Sequence, residues 1–174
     1  MRKLTLSLAI MTALTVIPSH AWGQFQVGPY LAFHDDADLG IGAFVGVPVP
    51  SIHENVSFVG DFGFFFPDNG GHNGVDVDYW ELNGDLLYRF PMEDLSFTPW
   101  AIAGLNISHG SVGTAYDEIV DGGGSDTSLG VNVGGGVTFG SSAMAPFVGA
   151  KFELGGGEGA VLFGGLSFLV GGEG

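Results

Sequence analysis

The chain has no cysteine and few basic residues. Without cysteine no disulfide can hold the fold, so packing and hydrogen bonding must do so. Its 4 Lys and Arg residues are outnumbered by 19 Asp and Glu residues. Because nucleic-acid phosphates are bound by basic surfaces, this charge balance excludes a nucleic-acid partner.

Long apolar runs are also missing, except for one at the N-terminus. A basic dipeptide precedes an apolar stretch from Leu4 to Ile17, and a small-x-small cleavage pattern ends at Ala21. The stretch is too short to span a bilayer, which disfavours an uncleaved anchor helix. We predict a signal peptide at residues 1–21, export through the Sec pathway, and cleavage after Ala21 or, alternatively, after Gly23.

Glycine, in contrast, is abundant, with 32 residues, and apolar residues recur at every second position. Within Ser128–Phe139, Leu129 and Val133 fall on one parity, and Gly130 and Asn132 fall on the other. This two-residue period is typical of a β-strand. Seven other segments repeat it, with turn residues between them. The eight predicted strands are Gln24–His34, Leu39–Val49, Val56–Phe66, Asp76–Phe90, Leu95–Ser108, Ser128–Phe139, Ala145–Leu154 and Ala160–Val170.

No helical pattern separates neighbouring strands. We therefore predict an all-β fold, an eight-stranded antiparallel up-and-down barrel over residues 22–170, with a short tail at 171–174. Connections after strands two, four and six are short, and those after strands three and five are longer. The fifth segment is mixed around Pro99 and Trp100. We place Trp100 on the polar parity, with a β-bulge as the alternative.

Two kinds of barrel share this pattern, a soluble lipocalin-like barrel with the apolar face inward and a transmembrane barrel with that face outward. An eight-stranded lumen is only just wide enough for its side chains, and roughly forty apolar side chains exceed that space. The sequence therefore predicts a transmembrane barrel whose apolar face points outward. On that face, Trp80, Tyr88 and Phe90 are predicted to belong to aromatic girdles at the membrane interfaces.

Four segments resemble the small outer-membrane β-barrel proteins of the opacity-protein and OmpA-like type, a porin-family architecture. The similarity lies in Pro99–Gly104, Leu129–Phe139, Ala145–Leu154 and Gly164–Phe168. It implies an outer-membrane location, surrounding lipid as a partner, insertion by the barrel-assembly machinery, and a monomeric state.

Charged residues on the inward parity form a candidate site. Burying ions costs free energy unless they pair, so we predict a lumen polar network in which carboxylates neutralise Arg89 and Lys151 and rigidify the barrel. The acids outnumber these cations, so a proton or cation path is the alternative role. Neither a cofactor nor a metal site is predicted. The predicted network comprises Asp61, Glu81, Asp85, Arg89, Lys151 and Glu153.

His109 and Ser111 share one face at a strand end, and Glu118 lies downstream. This arrangement resembles a fragment of the His-x-Ser pattern of lipid A deacylases, which are also small barrels. No Asn follows the Ser, and nothing supports the spacing to the Glu. We therefore interpret these residues as loop residues and predict no catalysis.

Acidic and amide side chains cluster in the predicted loops. Their oxygens suit Ca²⁺ or Mg²⁺, but no spacing matches a Ca²⁺-binding loop, so weakly bound divalent cations are a secondary expectation. The residues concerned are Asp35, Asp36, Asp38, Asp68, Asn69, Asn73, Asp76 and Asp78.

These observations predict a structural or surface-interaction role in the outer membrane. Envelope integrity, adhesion or recognition would act through extracellular loops at residues 67–75 and 109–126. A narrow channel for small or hydrophobic solutes is the main alternative. A lipid A deacylase-like enzyme and a soluble lipocalin-like binder are less favoured.

Overall fold

The structure is a computed structural model that describes residues 24–67, 75–92, 95–114, 124–140, 142–155 and 158–171, with the backbone alone described at 75–77 and 112–114. The signal peptide predicted at residues 1–21 lies outside the described residues and stays a prediction. No helix in these ranges is long and apolar enough to cross a membrane. The strands are β1 Phe25–His34, β2 Asp38–Pro48, β3 Val56–Phe65, β4 Val75–Arg89, β5 Phe97–Thr114, β6 Gly124–Phe139, β7 Met144–Gly155 and β8 Gly159–Val170.

The eight strands form one closed barrel in sequence order. β1 pairs antiparallel with β2 on one side and with β8 on the other. Where all eight strands are paired, closure leaves no strand edge exposed, so the backbone hydrogen bonds of that part of the sheet are satisfied without a disulfide or a covering helix. The predicted all-β, eight-stranded antiparallel fold is confirmed.

The barrel has two distinct ends. Phe25 lies opposite Val170, so the first and last strands begin and end at one rim, here termed the N-terminal rim. The other end, the distal rim, carries the turn at residues 35–37. Asp38 adopts a φ of 60° there, a left-handed conformation that Asp tolerates better than most residues. Asp35 ties this turn to β8, because its Oδ1 accepts a 2.9 Å hydrogen bond from the Ala160 N–H.

Side chains alternate between the outside and the lumen. In β6, Leu129 and Val133 are exposed, whereas Gly130 and Asn132 are buried. In β7, Phe152 is 62% exposed although the neighbouring charged residues are buried. Exposed large apolar residues occur on all eight strands. The prediction that the apolar face points outward is therefore confirmed.

β5 follows the preferred parity without a bulge. Trp100 and Ile102 are buried, and Ala103 and Leu105 are exposed. Pairing with β4 and with β6 is continuous along the strand. The apparent mixing around Trp100 therefore reflects large apolar residues on the inward face rather than a change of register.

The loop predicted at residues 109–126 is longer than the connection between β5 and β6 in the structure. β5 continues to Thr114 and β6 begins at Gly124, with Val112 opposite Gly124. The apolar alternation ends near Ile107, but the backbone ladder continues beyond it because strand pairing needs no apolar side chains. Val75 of β4 lies opposite Thr114, so β4 and the β5–β6 hairpin together extend past the neighbouring strands β3 and β7 at the distal rim.

The lumen also holds large aromatic side chains. Phe65 and Trp100 are buried inside it. Glycines make this possible: a Cβ at Gly149 would lie 2.4 Å from Trp100 Cη2, and one at Gly136 would lie 2.4 Å from Trp100 Cζ2. The inward glycines thus provide the space that the indole ring occupies.

Candidate functional site in the barrel lumen

Lys151 is held between two carboxylates in the distal half of the lumen. Its Nζ lies 2.7 Å from Glu153 Oε1 and 3.3 Å from Glu81 Oε2. Glu81 belongs to β4 and Lys151 to β7, so their ion pair connects strands that are not neighbours in the sheet, whereas Glu153 lies on the same strand as Lys151. All three side chains are buried. Buried ions require such close pairing to offset their desolvation.

His34 completes this distal cluster, and the sequence analysis did not include it. Its Nδ1 accepts a 3.0 Å hydrogen bond from the Asp36 N–H, which places the proton of the neutral ring on Nε2. Nε2 lies 3.8 Å from Glu81 Oε1 and 3.9 Å from Glu153 Oε2. The sequence pattern that could have identified His34 is its position on the inward parity of β1.

The distal cluster has the residue types of a metal site but not its chemistry. His34, Glu81 and Glu153 bring ligand atoms within 4.8 Å of one another. However, His34 Nδ1 already accepts the hydrogen bond from Asp36, so the neutral ring carries its proton on Nε2. A protonated Nε2 has no free lone pair with which to bind a metal. Lys151 already places a positive charge between the two carboxylates. The cluster is therefore interpreted as an ion-pair network and not as a metal centre.

A chain of hydrogen bonds crosses the middle of the lumen. Asp61 Oδ1 accepts from Tyr30 Oη at 2.7 Å and from Asn83 Nδ2 at 3.0 Å. Asn132 Nδ2 donates to Asn83 Oδ1 at 2.9 Å and to Asp85 Oδ1 at 3.1 Å. Two amide side chains therefore link the two aspartates, which lie on β3 and β4.

Arg89 differs from Lys151, and the expectation that a carboxylate neutralises it is wrong for the part of the chain that the structure describes. Its Nη1 donates to Ser57 Oγ at 2.8 Å, and its Nη2 donates to Gln26 Oε1. The guanidinium lies near the N-terminal rim, where β3 and β1 present a hydroxyl and an amide. Asp85, two inward positions before Arg89 on β4, is engaged instead by Asn132.

A cavity of about 90 Å³ lies in the lumen. Asp61, Asp85 and Glu81 contribute to its wall, as do both lumen cations. Much of the remaining wall is aromatic, from Tyr30, Phe44, Trp100, Phe147 and Phe163. The structure therefore gathers five of the six predicted network residues around this space, and the sixth, Glu153, is bound to Lys151.

The three predicted girdle residues point outward at opposite ends of β4. Trp80 stacks on His109 with ring centroids 5.3 Å apart, towards the distal rim. Tyr88 packs against Phe90 with centroids 4.9 Å apart, towards the N-terminal rim. Their placement in membrane interfaces stays a prediction.

Catalytic geometry does not form around His109 in the described residues. Its Nδ1 lies 2.7 Å from Thr127 Oγ1, so its hydrogen-bonding partner is Thr127 of β6 and not Ser111. Glu118 lies outside the described residues. The structure thus offers no general base aimed at the Ser111 hydroxyl.

The acidic loop residues fall partly outside the described range. Asp68, Asn69 and Asn73 are outside the described residues, and so is the side chain of Asp76. Asp35 is engaged by the backbone of Ala160. Divalent cation binding at this rim stays a prediction.

A closed eight-stranded barrel with an apolar exterior and a polar, ion-paired lumen defines the class of small transmembrane β-barrels. Similar folds occur among solved structures of bacterial outer-membrane proteins. The N-terminal β-barrel domain of Pseudomonas aeruginosa OprF matches with a TM-score of 0.63 and 15% identity, over 85% of this chain and 98% of that one. Neisserial surface protein A, NspA, matches with a TM-score of 0.61 and 14% identity, over 83% and 95%.

A third similar structure is Ail, the attachment invasion locus protein of Yersinia pestis, with a TM-score of 0.51 and 11% identity, over 85% of this chain and 99% of that one. The resemblance to small outer-membrane barrels is therefore confirmed at the level of the fold. No family model matches the sequence, and no curated protein matches it significantly.

Proposed function

We propose that this chain is an outer-membrane protein with a structural or surface-interaction role and no catalytic activity. The observation that carries the proposal is the exposure of large apolar side chains on all eight strands, around a lumen that encloses Glu81, Asp85, Lys151 and Glu153. In water such a surface would drive association, whereas hydrocarbon accommodates it. Outer-membrane lipid would surround a monomer inserted by the barrel-assembly machinery.

The distal rim is proposed to face the outside of the cell. Small barrels have short periplasmic turns and longer extracellular loops. The distal ends of β3 and β4, and of β5 and β6, are joined by two of the longer connections, and β4, β5 and β6 extend furthest at that rim. Adhesion or recognition would therefore use the hairpin tip and the connection between β3 and β4.

The acidity of the chain limits the kinds of surface partner that it can bind. Ail has been solved in complex with sucrose octasulfate, a heparin analogue. This chain has 19 Asp and Glu residues and 4 Lys and Arg residues, so its surface would repel a sulfated polyanion. We infer that any surface partner is neutral or basic, or is bridged by divalent cations.

Membrane fractionation followed by gel electrophoresis tests the membrane assignment. We expect the protein in the outer-membrane fraction, migrating differently before and after boiling because a closed barrel resists detergent until heated. Recovery of the protein in the aqueous fraction without detergent would contradict the proposal and support the soluble lipocalin-like alternative.

Shortening the hairpin tip tests the surface role. Deletion of residues 116–122 should abolish attachment of expressing cells to a surface or host matrix while heat-modifiable migration is retained. Replacement of residues 51–54, at the opposite rim, provides the control and should leave attachment unchanged. If the deletion leaves attachment unchanged, or if expression confers no attachment, the role is confined to envelope integrity.

A narrow channel is the second candidate, and the lumen cavity favours it. The Lys151 ion pairs lie towards one end of that cavity, and the contacts of Arg89 with Ser57 and Gln26 lie towards the other. We therefore expect no steady conductance in planar bilayers. Steady channels that are altered by Arg89→Ala would establish the channel function instead.

A further inference from the structure

The cavity wall contains carboxylate oxygens that the described residues leave without hydrogen bonds. Hydrogen bonds from Tyr30, Asn83 and Asn132 all reach Oδ1 of Asp61 or Asp85, and among the described residues none reaches Oδ2 of either. Glu81, 1% exposed, also lies on the wall, and its Oε1 has no hydrogen-bond partner there. These oxygens can accept from a ligand in the cavity.

Neither Asp61 nor Asp85 forms an ion pair among the described residues. Lys151 attracts both from a longer distance, but the four lumen carboxylates outnumber the two lumen cations. Within the part of the chain that the structure describes, Lys151 pairs with Glu81 and Glu153, and Arg89 contacts neutral groups. Buried carboxylates without a counter-charge are costly. The central part of the lumen therefore favours an added positive charge.

Aromatic rings also line this cavity. Trp100 and Phe163 have ring centroids 6.0 Å apart, Tyr30 and Phe163 6.2 Å, and Phe44 and Phe147 5.4 Å. The face of an aromatic ring attracts a cation, and such rings are typical of sites for quaternary ammonium groups. Small inorganic cations instead need a shell of oxygen ligands, which these rings do not supply.

The cavity is large enough for an organic group. Its volume of about 90 Å³ exceeds the roughly 10–15 Å³ that a single water molecule needs by the same measure. Trp100, Phe163, Asp61 and Asp85 all line it, and Tyr30 contacts both Asp61 and Phe163. An ammonium ligand would therefore find carboxylates and ring faces in a single space.

We propose that the lumen cavity is a binding site for a small organic cation, an alkylammonium or quaternary ammonium group. Asp61 and Asp85 supply the negative charge, and the rings of Tyr30, Trp100 and Phe163 contact the alkyl groups. Arg89, at the end of the cavity near the N-terminal rim, repels the cation towards the aspartates. This inference does not depend on the surface role proposed above.

Nuclear magnetic resonance of the full barrel tests the proposal, with choline as the probe. The protein is refolded in octyl glucoside, because detergents with a quaternary ammonium headgroup would compete. We expect saturable shifts of the Trp100 indole N–H and of neighbouring lumen amides. The neutral isostere 3,3-dimethylbutan-1-ol should bind about tenfold more weakly or worse, because it lacks the charge.

Choline binding is then compared between a variant that lacks a lumen carboxylate and a variant that lacks an exposed one. Asp85→Asn keeps an oxygen that accepts from Asn132 and should weaken choline binding by about tenfold or more. Asp126→Asn, which removes an exposed carboxylate on β6, should leave binding unchanged. If Asp85→Asn fails to fold, Asp61→Asn provides the same test.

Several results would overturn the proposal. They are the absence of lumen shifts in the folded barrel, equal binding of the neutral isostere, and unchanged binding in both aspartate variants. Equal shifts from K⁺ at the same concentration would replace the organic ligand with an inorganic one and would also overturn it.

Discussion

The two cations of the lumen are held by different kinds of partner. Lys151, in the distal half, has carboxylates at 2.7 Å and 3.3 Å. Arg89, near the N-terminal rim, is held by the Ser57 hydroxyl and the Gln26 amide. The distal half is thus stabilised by ion pairs, whereas the other half relies on neutral hydrogen bonds and aromatic packing. The difference shows that a barrel lumen can hold charge with or without a counter-ion nearby.

Lys151→Met should give the largest loss of stability, because it leaves Glu81 and Glu153 buried without their cation. Breaking one side of a buried ion pair costs about 3–5 kcal/mol. Urea unfolding in phospholipid vesicles measures the effect. As a control, the double variant Lys151→Met/Glu153→Gln should recover part of the loss. A loss no larger than that of Arg89→Met would remove the distinction between the two halves.

Gly149→Ala should give the next largest effect, because the added methyl would lie 2.4 Å from Trp100 and 2.9 Å from Phe163. Overpacking of this kind costs about 1–3 kcal/mol. The matched control is Gly46→Ala in the same lumen, where the nearest atom is 3.7 Å from the added carbon. Equal stability of the two variants by urea unfolding would show that aromatic packing does not limit this half.

Arg89→Met should have the smallest effect, about 1–2 kcal/mol, because it leaves only neutral groups without partners. The loss of stability caused by Arg89→Met should be the same when Asp85 is replaced by Asn, because the Asp85 carboxylate is bound by Asn132 and not by Arg89. A double-mutant cycle of Arg89→Met with Asp85→Asn measures the coupling. A coupling as large as that between Lys151 and Glu153 would mean that Arg89 is paired after all.

The strand count, the strand order and the face of each side chain could be predicted from the sequence. The alternation in β6 determines its register, because a slip of one residue would turn Leu129 and Val133 into the lumen. Lumen volume then decides which face is inside. The length of β5 could not be predicted in this way, because its last residues lack apolar alternation while their backbone pairing continues.

The partners within the lumen were harder to predict. Parity places Arg89, Lys151 and the four carboxylates inside, but it does not specify which groups meet across the barrel. That depends on the stagger of the strands, which brings Glu81 of β4 to Lys151 of β7 and leaves Arg89 beside Ser57. His34 was missed for the same reason, because its neighbours lie on distant strands.

The central claim is that residues on the apolar parity contact lipid and that residues on the other parity do not. Because the chain has no cysteine, single Cys variants along residues 129–137 can each carry one nitroxide label. In lipid vesicles, collision with O₂ should exceed collision with a water-soluble nickel reagent at 131 and 133, and O₂ collision should fall at 132 and 134. Nickel access at 131 and 133, with shielding from O₂, would contradict a membrane-embedded barrel.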